Sequence, residues 1–314
     1  MLLSLRKITK YFPVQRGLFG NPTAFVKAVD GVSFDLGEGE IVGVVGESGC
    51  GKSTLGRCVV GLYEPTGGEL LWKGESTRGM EESRKRELRR KYQMVFQNPF
   101  ASLNPRQRVE NLLLEPMEVG GLLPPAERRG FALELLGQVG LSGTDLNKFP
   151  HEFSGGQRQR IGLARAMACQ PDLIVLDEPV SSLDVSVQAS ILNLLSRLNI
   201  RTKIAYLFIS HDLQVVGYLS QRILVMYLGK IVEEGDTARV LAQPRHPYTR
   251  TLLAASDGKT AKILGEPPNP ADIPPGCLFH PRCPYAEDRC RVEKQELLPG
   301  EKASQVACWK WDRI

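Results

Sequence analysis

The chain of 314 residues, 24% charged and 42% hydrophobic, is long enough for one large globular domain and a smaller appendage. No apolar run approaches the ~18 residues that span a bilayer. Residues 1–7 lack the apolar length and cleavage site of a signal peptide, so a cytoplasmic protein is expected, reaching membranes only through partners. The net charge of +5 does not argue for nucleic acid; the densest basic run, residues 84–91, is interrupted by Glu87 and Leu88 and follows Glu81 and Glu82, the pattern of a solvated helix face.

Residues 3–8 and 32–36 alternate apolar and polar, which predicts two half-exposed antiparallel strands. Tyr11 and Phe12 fall on the loop expected after the first strand, where one of them could stack on an adenine face or simply anchor a small core. The apolar run Ile41-Val42-Gly43-Val44-Val45 predicts a buried strand. It leads into Gly46-Glu47-Ser48-Gly49-Cys50-Gly51-Lys52-Ser53-Thr54 and then a helical pattern. Strand, glycine loop and helix are the context a phosphate-binding loop needs, and the spacing is G-x-x-x-x-G-K-[ST]. Glycines let successive N–H groups turn inward as an anion nest, and the helix adds its positive end. Lys52 is expected to reach the β- and γ-phosphates and the Ser53 hydroxyl to ligate Mg²⁺. The chain is therefore expected to bind a nucleoside triphosphate. Cys50, beside the helix start, could carry an acidified thiol, a feature without an assigned role.

Residues 69–72 read as a strand, 81–91 as a helix and 92–97 as a strand ending on Gln97, followed by turn residues through Pro105. From 106 to 141 the pattern is helical, with Phe131, Leu133, Leu135, Leu136 and Val139 on one face and Pro124-Pro125 at a helix start. No strand pattern occurs there, so a helical insertion divides the sheet-forming halves. Ser154-Gly155-Gly156-Gln157 opens a long helix running to Cys169 and offers a second anion site at its N-terminus. Residues 172–178 form a continuous apolar strand that ends in Asp177 and Glu178. Buried carboxylates need a partner, and beside a phosphate loop Mg²⁺ supplies one: Asp177 suits the metal shell, and Glu178 is placed to polarise an attacking water. A helix is expected over 185–198 and a buried strand over 205–209, ending at Ser210-His211-Asp212, with His211 expected beside the same phosphates. Short strands at 222–227 and 230–234 close the main domain. Repeated strand–helix alternation predicts an α/β core.

Taken together these motifs resemble the nucleotide-binding subunit of an ABC transporter, over about residues 1–240. The resemblance makes residues 46–54 the Walker A loop, Gln97 the Q-loop residue and a further Mg²⁺ contact, and Phe12 the aromatic that stacks on adenine. Phe153-Ser154-Gly155-Gly156-Gln157 is similar to the signature, with Phe where Leu is commonest; residues 173–178 match Walker B with Glu178 as catalytic glutamate. Asp184 falls in the D-loop and His211 matches the switch histidine. It implies a P-loop NTPase core with an antiparallel β subdomain and a helical insertion at about 98–153. It also implies two domains packed head to tail, each ATP held between one chain's Walker A and the other's Ser154–Gln157 turn. Gln97 would pass the nucleotide state to the insertion, which touches a membrane partner.

The C-terminal part narrows the resemblance. His246-Pro247-Tyr248-Thr249-Arg250, a proline-rich linker at 266–276 and Cys277-Leu278-Phe279-His280-Pro281-Arg282-Cys283-Pro284 are similar to the extension of oligopeptide and dipeptide importer ATPases. The expected domains are 1–243 for the ATPase and 244–314 for the extension. Such importers imply a second, non-identical ATPase subunit, two membrane permeases and an extracytoplasmic substrate-binding protein, with this chain as the second ATPase, peripheral on the cytoplasmic face of the membrane. Nickel importers share the architecture, and a soluble ABC ATPase of nucleic-acid metabolism is the competing class; no nucleic acid is expected as a partner. Of seven cysteines, Cys277, Cys283, Cys290 and Cys308 crowd the C-terminal end in a C-x₅-C-x₆-C-x₁₇-C pattern. In a reducing compartment this suggests a metal site: a 4Fe-4S cluster, with zinc as the alternative. On this reading the metal helps fold a tail with little core of its own, and replacing Cys283 loosens the tail while leaving nucleotide binding nearly intact.

Overall fold

The computed structural model describes residues 1–16, 22–98, 102–256, 265–299 and 304–314, so the expected turn residues at 99–101 lie outside it. The chain forms two compact units, the first made of residues 1–36, 41–78 and 208–314, the second of 37–40 and 79–207. The α/β class is as expected.

In the first unit, β1 (Leu3–Arg16) and β2 (Pro22–Leu36) form a long antiparallel ribbon, extended by β4 (Gly67–Trp72) and β5 (Glu75–Ser76) in the order β2-β1-β4-β5. Alternating Leu3, Leu5, Val32, Phe34 and Leu36 bury one face of this sheet. Both strands outrun the alternation in the sequence, because the register shifts repeatedly between Leu5 and Arg16 and each shift breaks the period of two. Tyr11 and Phe12 consequently lie on β1, not on a loop after it.

The same unit carries strands in the order β11-β12-β10-β9-β3. The apolar run Ile41–Val45 (β3) is fully buried and parallel to β9 (Arg222–Tyr227), pairing Val42 with Arg222 through Val45 with Val225. Burial on both faces is what a continuous β-branched run requires. A turn with Leu228 at φ 42° and Gly229 at φ 81° joins β9 to antiparallel β10 (Lys230–Asp236), the two left-handed residues matching the strand twist. Helices α1 (Lys52–Val59), α7 (Leu213–Leu219), α8 (Thr237–Ala242) and α9 (Pro247–Ser256) belong here too. The C-terminal segment stays in this unit. Its β12 (Gln305–Val306) pairs Val306 with Glu233 of β10, and β11 (Leu298–Pro299) adds outside it. The buried Glu233 carboxylate accepts the N–H groups of Arg245 (2.8 Å) and His246 (2.9 Å), which tie the segment to β10 where it leaves α8.

In the second unit, β6 (Tyr92–Val95) pairs in parallel with β7 (Leu173–Asp177), and β8 (Ala205–Ser210), which starts in this unit, follows β7. Helix α2 (Glu82–Lys91) precedes β6. The expected helical insertion holds α3 (Val109–Val119) and α4 (Pro125–Gln138), then 3₁₀ turns at Gly143–Asn147 and Pro150–Glu152. Leu112, Leu113, Met117, Leu135, Leu136 and Val139 form its core, whereas Leu133, expected on the apolar face, is exposed. Helix α5 (Gly155–Met167) and α6 (Val185–Thr202) complete the unit. Among the described residues no helix is long and apolar enough to cross a membrane.

Candidate functional site

The loop after β3 is shaped by two glycines with no room for a side chain. A Cβ on Gly46 would stand 2.1 Å from the Met226 carbonyl oxygen, and one on Gly51 would stand 1.9 Å from that of Ala28. Gly51 also has φ 110°, forbidden to most L-residues, and is the N-cap of α1. The first α-helical bond runs from Leu55 N–H to Gly51 C=O (2.9 Å), so the earlier amides of the helix have no acceptor within it, and the dipole favours an anion there. Ser48 and Gly49 form the exposed tip; Ser53 and Thr54 are half-buried in the first helical turn.

Lys52 is only 4% exposed, and its Nζ donates to the carbonyls of Gly46 (2.7 Å) and Glu47 (2.9 Å). A buried ammonium held by two carbonyls of its own loop gives that loop a fixed cation. Cys50 lies beside it but is buried, and burial pushes its thiol up despite Lys52. The direction is opposite to the acidification that a helix start suggests, because desolvation outweighs the nearby cation.

Glu47 is held at three points. Its N–H donates to the Tyr248 hydroxyl (2.8 Å), its carbonyl receives Lys52, and its carboxylate takes both prongs of Arg282 (2.8 Å each). The Arg282 guanidinium also donates to the Tyr227 hydroxyl at 3.3 Å. The Glu47 hydrogen bonds hold Arg282 still more firmly in its charged form. Motif spacing does not reveal Arg282, Tyr248 or Tyr227; the only trace in the sequence is an arginine among aromatic residues close to the cysteines.

Phe12 is half-buried on β1, edge-on to Tyr63 with ring centroids 5.5 Å apart, and Lys10 Nζ lies 5.3 Å from its centroid. Tyr11 is committed elsewhere, donating its hydroxyl to Asp30 at 2.5 Å, and burial pushes its pKa up to about 12. His211 is exposed immediately after β8.

The second unit places the other motif residues. Asp177 closes β7 at 3% exposure, and Glu178 follows at φ 48°, a left-handed backbone uncommon for a non-glycine residue. Gln97, just beyond β6 and exposed, donates its Nε2 to Glu178 Oε2 at 3.1 Å. The structure thus brings the Q-loop glutamine and the second carboxylate together. Ser154 caps α5 in a reciprocal box: its Oγ accepts from Gln157 N–H (3.3 Å), and its own N–H donates to Gln157 Oε1 (3.0 Å). A Cβ on Gly156 would meet Val187 Cγ1 at 2.4 Å, so that glycine lets α5 approach α6. Asp184 is the N-cap of α6, accepting from Val187 N–H (3.0 Å) and Ser186 Oγ (2.7 Å), and these bonds hold its pKa below the usual carboxylate value.

Cys277, Cys283, Cys290 and Cys308 line one cavity, together with His280 and Trp309. The Cys277 N–H donates to the Cys290 carbonyl (2.8 Å), closing the segment between them. Burial pushes the Cys277 and Cys308 thiols up to about 11. Among the described residues no three His, Cys, Asp or Glu side chains form a group that could hold a metal ion, although the four thiols line the same cavity.

Comparison with known proteins places these features in a family. Residues 29–181 match the family described as "ABC transporter", and residues 232–290 match "Oligopeptide/dipeptide transporter, C-terminal region". The oligopeptide transport ATP-binding protein AppF of Bacillus subtilis is 47% identical, covering 98% of this chain and 96% of its own. The dipeptide transport ATP-binding protein DppF of Escherichia coli is 44% identical, covering 99% and 95%. The dimeric post-hydrolysis structure of the ATP-binding cassette MJ0796 with ADP and phosphate superposes with a TM-score of 0.66 at 30% identity, over 75% of this chain and 99% of that one. With a shared fold, both family segments and end-to-end similarity, the chain belongs to the ABC transporter ATP-binding proteins of the oligopeptide/dipeptide transporter family.

Proposed function

We propose that this chain binds and hydrolyses ATP to power an importer of di- or oligopeptides, peripheral on the cytoplasmic face of the membrane. The observation that carries the reading is a sterically enforced phosphate loop with a buried lysine in the same chain as the peptide-transporter C-terminal region. Residues 1–243 form the ATPase, with the helical insertion at 98–153, and 244–314 form the extension. Loop residues 46–54 cradle the phosphates, Lys52 balances their charge and Phe12 stacks on adenine. Ser53, Asp177 and Gln97 are hard oxygen donors suited to Mg²⁺, which when bound neutralises charge on the phosphates. Glu178 polarises the attacking water, and Gln97, which donates to its carboxylate, senses the nucleotide and passes its state to the helical insertion. His211 contributes a switchable hydrogen bond beside the phosphates. Ser154, Gly155, Gly156 and Gln157 serve the ATP of a second, non-identical ATPase subunit, and Asp184 lies in the loop between the two. Two permeases and an extracytoplasmic binding protein complete the assembly.

We propose further that the four cysteines lining one cavity hold a metal group, although the described residues form no ready-made metal site. Thiolates are the ligands of a 4Fe-4S cluster, with zinc as the alternative. Cys277, Cys283, Cys290 and Cys308 would hold it, and its contribution is structural.

Uptake decides the substrate class. In cells lacking this chain, the wild type is expected to restore accumulation of a labelled tripeptide, whereas Lys52→Ala does not. Restored nickel uptake with no tripeptide uptake would contradict the reading.

A further inference from the structure

Glu47 poses an electrostatic problem. It occupies a variable position of the phosphate loop, where nothing in triphosphate binding calls for a carboxylate, and a negative charge beside a polyanion site opposes binding. The structure contains an answer. Arg282 is 4% exposed at its side chain, buried against the Tyr227 and Phe279 rings with its guanidinium carbon 5.9 Å from each centroid. A buried guanidinium needs a partner, and here a two-pronged pair to Glu47 supplies it. Tyr248, fully buried and tilted against Tyr227 at 4.6 Å, takes the Glu47 N–H and fixes the backbone of the same residue. With carboxylate and amide both held, the Glu47 carbonyl is set in place to receive Lys52.

We infer that Arg282, carried on the His280–Arg282 turn between Cys277 and Cys283, is a positioning residue of the phosphate loop: it neutralises Glu47 and fixes the loop that presents Lys52 to ATP. The C-terminal segment therefore supplies a working part of the nucleotide site. The expectation from the sequence is that replacing Cys283 leaves nucleotide binding nearly intact; on this inference the neighbouring Arg282–Glu47 contact makes the opposite outcome the expected one. The inference rests on ATP being held by the Gly46–Thr54 loop.

The test is ATP affinity and steady-state kinetics of the full chain with its assembly. Arg282→Met leaves the Glu47 charge uncompensated and is expected to raise the ATP Kd about tenfold, with KM rising in step and kcat at saturating ATP little changed. Adding Glu47→Gln to that variant removes the uncompensated charge and is expected to recover most of the affinity, as a double-mutant cycle requires. Arg282→Lys keeps the charge but loses the fork, and should weaken binding about threefold. If the Met variant does not fold, the Lys variant decides. Unchanged affinity in the Met or Lys variant, or a double variant as weak as Arg282→Met alone, overturns the inference. A wild type that binds no ATP would instead remove the reading beneath it, so the two failures are distinguishable.

Discussion

Glu178 sits one residue past a buried strand, in a left-handed conformation that costs a non-glycine residue of order 1 kcal/mol. The positive φ starts the turn that leaves β7, and the Glu178 carbonyl then accepts from Ser181 N–H (3.4 Å) and Oγ (3.2 Å). Its carboxylate is left to meet Gln97. The motif made the identity of the residue legible, because a carboxylate after an apolar run is a local pattern; the backbone conformation and the Gln97 contact were not, since Gln97 lies 81 positions away. Glu178→Gln keeps the shape and the hydrogen bond but gives up the basic group. ATP affinity should stay within about twofold, and turnover should fall at least about a hundredfold, the scale of lost general-base catalysis. Matched binding and hydrolysis assays check it, and near-normal turnover would remove Glu178 from the role.

Among the elements, β3 with its loop and α1 was readable because each part is local: a buried β-branched run, forced glycines and a helix start. β2 was read only at its end, because shifts in register against β1 hide its period. The C-terminal segment was least legible. Its β12 pairs with β10 over two residues, and Arg282 meets Glu47 across 235 positions, neither of which leaves a periodic signal. The cysteine cavity belongs to this segment, and a metal group bound there would help order the turn that carries Arg282. Protein purified without oxygen is expected to be brown, with iron and acid-labile sulfide in equal amounts; Cys283→Ser should bleach it. Because Arg282 directly precedes Cys283, the same variant should also weaken ATP binding. A colourless anaerobic preparation with stoichiometric zinc would establish the zinc reading instead.

For the whole molecule, the proposed assembly makes ATP turnover a property shared between two chains. Ser154 lies exposed at the start of α5, held in shape by its reciprocal box with Gln157, and Asp184 is exposed at the start of α6. In the proposed assembly this turn completes the ATP site of a second ATPase subunit, and the γ-phosphate supplies the contact that favours the closed pair. The most direct test is ATP turnover by this chain over a range of protein concentrations, alone and then with the second ATPase and both permeases. Slow turnover alone is predicted, with stimulation in the assembly; Ser154→Arg should then abolish hydrolysis at the site whose phosphate loop lies on the partner. Rapid, concentration-independent hydrolysis by a proven monomer would contradict the shared site and the mechanism that depends on it.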